Sequence, residues 1–269
     1  MGSSYAAGPG ILPVEQWGAL RSGRNYAHQV AQALSLRLTD VTCSGATTAN
    51  IMTTRQRTLS GTVPPQIDAV TRDTQLVTIT AGGNDAGYIG ALTKISTVNA
   101  VMRRVPRVPP RVTGWLNDWA GPVPAAGRFD AVASSLATVV DAVRTRAPGA
   151  RVLLVDYLSL LGPGTTGNLV PGATGNSRLP LTDDEVRQFR DAAASLAAAF
   201  ERAASASGAD LVQASAASTG HGIGSAEPWV SGLTFGLPFT GRPVAYHPTL
   251  AGMSAVAKLV IDHLASAGS

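Results

Sequence analysis

The sequence predicts an α/β protein with a mainly parallel sheet and helices on both faces. Two observations predict it. Short strand-like runs occur at 38–42, 76–80, 151–157 and 210–213. Between them lie longer segments whose apolar residues recur at three- and four-residue spacing, the period of a helix with one buried stripe. Short strands alternating with longer helices bury a sheet beneath two helical layers. Composition agrees, since 45% hydrophobic and 14% charged residues over 269 positions suit one large core. No internal repeat or linker divides the chain, so residues 1–269 are read as a single domain.

Taken in order, the first helical period covers 26–36 and the second 129–146. The longest helix is expected over 182–206, where Thr182 precedes Asp183, Asp184 and Glu185. That is an N-cap followed by acids in the first turn, which suit the positive end of the helix dipole. A last helix is expected from 247–248 to 264, because proline is tolerated in a first turn. The stretches 94–124 and 161–180 are rich in turn-forming and small polar residues. They read as long excursions over the carboxyl ends of the strands, where sheets of this kind bind ligands.

Several functions are disfavoured. The net charge is +4, but Lys and Arg are scattered. The densest run, Arg103, Arg104, Arg107 and Arg111, is broken by Pro106, Pro109 and Pro110 and reads as solvated arginines on a loop. A nucleic-acid binder would gather its charge on one element, so no nucleic acid is expected. Cys43 is the only cysteine and reads as a small buried residue. No histidines have metal-ligand spacing with nearby acids, so no metal or other cofactor is expected. No apolar run is long enough to span a bilayer, and the start carries no basic-then-apolar leader, which leaves the compartment open. The chain is read as a monomer.

Three segments carry chemistry. Gly2-Ser3-Ser4-Tyr5-Ala6-Ala7-Gly8 sets a serine among small residues, as a nucleophile on a tight turn requires. Gly82-Gly83-Asn84-Asp85 directly follows the strand-like run 76–80 and offers the Asn84 amide as a donor to a developing oxyanion. Tyr246-His247-Pro248-Thr249 places a histidine at a helix entrance, where it can serve a serine on another loop. His28 and His263 fall within helical patterns, and His221 lies in the glycine-rich Gly220-His221-Gly222-Ile223-Gly224.

In this order the segments resemble the blocks of the GDSL/SGNH hydrolases. Gly2-Ser3-Ser4 is similar to the family's Gly-Asp-Ser block, with Ser4 at the nucleophile. Thr42-Cys43-Ser44-Gly45-Ala46-Thr47-Thr48 is similar to the block whose glycine N–H, here Gly45, is an oxyanion donor. Gly82-Gly83-Asn84-Asp85 matches the third block and His247-Pro248 the last. Asn25-Tyr26 and Gly220-His221-Gly222-Ile223 point to the actinobacterial lipase and esterase branch. The resemblance implies an α/β/α sandwich and an acyl-enzyme on Ser4, formed from a small-molecule or lipid ester. His247 would be the general base, and Ser4 N–H, Gly45 N–H and the Asn84 amide the oxyanion hole. No serine sits in a G-x-S-x-G pattern, which disfavours the α/β-hydrolase route.

Three departures follow. Ser3 stands where the family has Asp. Val244 stands where the triad acid belongs, so the resemblance implies a Ser4–His247 dyad with the Val244 carbonyl orienting the ring; Asp156 is a distant substitute. Only Met1 precedes Gly2 where relatives have a strand, so the first strand is expected to be missing. The alternative is a catalytically weak protein of this fold that binds acylated glycans or lipids. A nucleotide-binding reading of Gly162-Pro163-Gly164-Thr165-Thr166-Gly167 is disfavoured, because Pro171 and Gly172 stop a helix from opening there.

Overall fold

The computed structural model describes residues 1–105, 107–167, 179–235, 240–242 and 244–266. Its main sheet has three parallel strands in the order β5 (Leu76–Ile79), β6 (Arg151–Val155) and β7 (Asp210–Val212). Leu76 pairs with Arg151 and Ile79 with Leu154; Leu153 pairs with Asp210 and Val155 with Val212. Val152 to Val155 are all buried, as a strand covered on both faces must be. Two small antiparallel hairpins, β1 (Val14–Gln16) with β2 (Arg21–Ser22) and β3 (Gln56–Thr58) with β4 (Gly61–Val63), lie outside this sheet.

Helices α1 (Ser4–Ala7), α2 (Tyr26–Ala33), α3 (Thr48–Met52), α4 (Gly83–Ala86), α5 (Tyr88–Arg104) and α6 (Pro110–Ala120) come from the first half. α7 (Gly127–Arg146), α8 (Asp183–Ser207), α9 (Ala214–Ala217) and α10 (Leu250–Ser266) complete the set. α7 packs along α8, while α10 packs along α2, giving the three-layer α/β/α arrangement. The buried stripe of α7 is Phe129, Val132, Leu136, Val139, Val140 and Val143, the three-and-four spacing visible in the sequence. α8 begins as expected: the Thr182 hydroxyl accepts from Glu185 N and the Glu185 carboxylate accepts from Thr182 N, a capping box.

Two expectations need correction. Residues 38–42 are not a strand. On the side of β5 away from β6, the described residues place the first residues of the chain instead: the Met1 amino group donates to the Thr78 carbonyl at 2.9 Å, Thr80 N donates to the Met1 carbonyl at 3.3 Å, and Gly2 forms a parallel bridge to Thr80. Gly2 reaches the other side too, its carbonyl accepting from Cys43 N at 3.1 Å. Among the described residues 38–42 pairs with no strand, and a cavity of about 340 Å³ is lined by Met1, Val30, Leu38 and Val41 together with Leu76 and Thr78 of β5. The second correction concerns 94–124, read as an excursion. It holds the rest of α5 and all of α6, with Arg103 and Arg104 in the last turn of α5 and Arg111 within α6. Pro110 occupies the first turn of α6, where its missing N–H has no helical partner to lose. Of the 161–180 stretch, 168–178 lies outside the described residues, and with it Pro171 and Gly172. Arg190 reaches the carbonyls of Gly162, Pro163 and Thr165, so this loop is held by its oxygens from below.

Candidate active site

Ser4 sits where the Gly2 bridge ends and α1 begins. Ser3 N donates to the Thr80 carbonyl at 2.8 Å, and the Gln66 side chain grips both the N–H and the carbonyl of Gly2. Position 2 requires glycine, since a Cβ there would lie 2.5 Å from the Thr80 oxygen. As the first residue of a helix, Ser4 keeps an N–H that no carbonyl of the helix can accept. Among the described residues it donates to none.

Ser3, the residue in the family's Asp position, shares a hydrogen bond of 3.1 Å with the Tyr157 hydroxyl, which also accepts from Gly83 N at 3.0 Å. Tyr157 therefore fixes the serine loop to the turn after β5. Burial pushes its hydroxyl up to about 12, so it stays protonated and bridges both groups.

That turn carries Asn84 on α4. The Asn84 amide donates one hydrogen to the Ala46 carbonyl at 2.9 Å, and its second has no acceptor among the described residues. Ala46 follows Gly45, whose φ of +83° suits glycine and whose N–H is unpaired among the described residues. The Asp85 carboxylate accepts from both the N–H and the hydroxyl of Thr48, so α4 and α3 are tied at their N-terminal ends. Ser4, Gly45 and Asn84 thus each hold a spare N–H within one hydrogen-bonded frame.

The far end of the chain reaches this frame through Tyr5. Its hydroxyl donates to the Tyr246 carbonyl at 2.7 Å, and its ring centroid lies 5.6 Å from that of His247. Among the described residues, Ser4 and His247 share no direct hydrogen bond. Tyr246 is fully buried with φ +60°, a left-handed conformation that costs a non-glycine residue roughly 1–2 kcal/mol. It is held on three sides: by Tyr5, by its hydroxyl donating to Ser96 Oγ at 2.7 Å, and by its N–H on the Gly232 carbonyl.

This strained turn corrects one expectation. His247 Nδ1 lies 2.7 Å from the carbonyl of Ala245, not of Val244. The Val244 carbonyl is taken by the His247 backbone N–H and by the buried Ser231 hydroxyl. With Tyr246 in the left-handed region, the ring folds back over the residue two before it. A carbonyl only accepts, so Nδ1 carries the proton and Nε2 keeps its lone pair. Among the described residues no carboxylate pairs with His247. Asp156 is engaged elsewhere: it accepts from the N–H and the hydroxyl of Ser215, capping α9, and burial raises its pKa to about 6.

The other histidines are also engaged away from Ser4. His28 pairs with Glu15 at 2.7 Å, His221 stacks on Trp229 at 3.9 Å, and His263 lies 3.6 Å from Asp210. Tyr5, Tyr157, Ser231 and Tyr246, which build the frame, escaped sequence reasoning; adjacency to Ser4 and His247 was the one signal for Tyr5 and Tyr246. Among the described residues no cluster of three His, Cys, Asp or Glu could hold a metal, and no helix is long and apolar enough to cross a membrane.

Burial pulls the His247 pKa down to about 4, against the opposing pull of the Ala245 carbonyl. Were His247 the base that the resemblance implies, it would have to be neutral, and kcat/KM is then expected to hold steady down to about pH 5 and to halve near pH 4. Stability follows the same sign. Between the ordinary histidine value of 6.5 and about 4 the unfolded chain binds more protons, so this contribution is full above 6.5 and is lost as pH falls through the window. A rate profile with its acid limb near pH 6.5 would contradict this environment.

The family and the relatives that this chain matches make it a carboxylic ester hydrolase. Residues 1–255 match the model of the GDSL-like lipase/acylhydrolase family, and the chain belongs to that family. It is 34% identical to Lipase 2 of Streptomyces coelicolor, over 98% of this chain and 84% of that protein. It is 28% identical to an esterase of Streptomyces scabiei, over 78% of this chain and 67% of that one. Its fold matches the crystal structure of an extracellular lipase from Streptomyces rimosus, with TM-score 0.68, 23% identity, 97% of this chain and 96% of that one. A phospholipase A1 from Streptomyces albidoflavus follows at TM-score 0.66 and 24% identity, with the same coverage.

Proposed function

We propose that the chain cleaves carboxylic esters of lipids through an acyl-enzyme on Ser4. His247 Nε2 takes the Ser4 proton as Oγ attacks the ester carbonyl carbon. The resulting oxyanion is met by the N–H groups of Ser4 and Gly45 and by the spare amide hydrogen of Asn84. His247 then gives its proton to the leaving alkoxide as the carbon–oxygen bond breaks, and a water molecule repeats the sequence to free the acid. The Ala245 carbonyl replaces the acid of a triad, holding the tautomer and accepting from the imidazolium without a full countercharge.

The observation that carries this reading is the Tyr5 bridge, which joins the residue beside Ser4 to the residue beside His247 across 241 positions. The names of the relatives, lipase and esterase, support a lipid ester as substrate.

A fluorophosphonate probe tests it. One equivalent is expected to attach to Ser4, with loss of p-nitrophenyl butyrate hydrolysis in proportion. Ser4→Ala should neither label nor hydrolyse. Equal rates in wild type and Ser4→Ala would instead favour a binding protein of this fold.

A further inference from the structure

The segment from α5 to α6 carries a feature that ester cleavage at Ser4 does not use. Of the large hydrophobic side chains exposed among the described residues, five fall in it: Val101, Val105, Val112, Trp115 and Trp119. At 100° per residue, Val112, Trp115 and Trp119 lie within about 60° of arc on α6. Trp115 is 65% exposed and Trp119 45%, whereas Leu116 and Ala120, on the adjoining arc, pack onto the core. The helix therefore rests on one apolar stripe and presents a second to solvent.

The charge around that stripe has one sign. Between positions 94 and 119 there are five cations, Lys94, Arg103, Arg104, Arg107 and Arg111, against one carboxylate, Asp118. That excess equals the net charge of the whole chain, +4. Arg104, Arg107 and Arg111 are all exposed. An amphipathic helix with tryptophans on its apolar side and arginines at its border is matched to a lipid–water boundary, where indole rings settle at the headgroup level and guanidinium groups meet phosphates. A nucleic acid would use the arginines but leave Val112 and Trp115 without a partner.

The face also lies beside the site. α5 places Ser96 against Tyr246, next to His247, and Lys94 5.4 Å over the ring of Trp119. One helix thus contacts both the catalytic turn and the exposed stripe.

We propose that the Val112–Trp115–Trp119 face of α6, bordered by Arg104, Arg107 and Arg111, docks the protein on an anionic lipid surface. Its purpose, delivering Ser4 to esters held in that surface, rests on the hydrolase reading; its binding does not. Sedimentation with vesicles of phosphatidylcholine alone, and of phosphatidylcholine mixed with phosphatidylglycerol, tests it in the intact chain. Wild type is expected to bind the mixed vesicles at least about tenfold more tightly, and less so as salt rises. Trp115→Ser/Trp119→Ser and Arg104→Glu/Arg107→Glu/Arg111→Glu should each lose at least about tenfold in affinity for them. Both variants should cleave soluble p-nitrophenyl acetate at the wild-type rate but esters presented in vesicles more slowly, in step with binding. Binding as expected in a chain that cleaves neither ester would support the docking face and overturn the hydrolase reading alone. Equal binding to both vesicle types, or undiminished binding by both variants, would overturn the proposal. So would a wild-type dimer that the double tryptophan substitution dissolves, which would assign the face to a second copy of the chain.

Discussion

Replacing His247 by Ala is expected to lower kcat by about 10⁶-fold, the scale seen when the base of a serine nucleophile is removed. The size of the effect follows from the geometry around the ring. No carboxylate pairs with His247 among the described residues, so the proposed mechanism lays the whole proton-transfer role on one imidazole whose tautomer is set by the Ala245 carbonyl at 2.7 Å. The fold should tolerate the change. His247 gives up one side-chain hydrogen bond, worth about 1 kcal/mol net. The variant should also lose the acid sensitivity of stability between pH 6.5 and about 4 that the buried ring confers. Steady-state kinetics on p-nitrophenyl butyrate, with thermal melts at pH 5 and 7, would check both effects. A loss of activity accompanied by a collapse of the melt would point to misfolding rather than chemistry.

Asn84→Ala is the second large effect. The amide donates to the Ala46 carbonyl at 2.9 Å, and the proposed mechanism gives its second hydrogen to an oxyanion. Negative charge develops on the substrate oxygen only in the transition state, so kcat should fall by about 10²- to 10³-fold with KM little changed. Asn84→Asp should fall further, because a carboxylate repels both the Ala46 oxygen and the oxyanion. A change confined to KM would remove Asn84 from the oxyanion hole and leave it as a support for the Gly45 loop.

The sheet was largely legible because its strands are buried on both faces and read as short apolar runs, as in Arg151–Val155. The helix from Thr182 was legible because its cap chemistry is local. Residues 38–42 misled for the opposite reason. Their composition suits a strand, but a strand is defined by its partner, and the edge of β5 is met by Met1 and Gly2 instead. The α6 helix was hidden by its prolines, although Pro109 and Pro110 mark a helix start, and by an exposed stripe that mimics no buried period. At the proposed site, Ser4, Gly45, Asn84 and His247 are candidates that short blocks of sequence suggest. The choice between the Val244 and Ala245 carbonyls was not. It depends on Tyr246 standing at φ +60°, which is imposed by Tyr5, Ser96 and Gly232 from distant parts of the chain.

The most direct measurement is a double-mutant cycle on kcat with Ser4→Ala, His247→Ala and the two combined. If hydroxyl and imidazole act as one unit, each single variant should be as slow as the double, within about threefold. Losses that multiply in the double variant, or a His247→Ala protein that keeps most of its rate, would mean that the two residues do not work on the same proton.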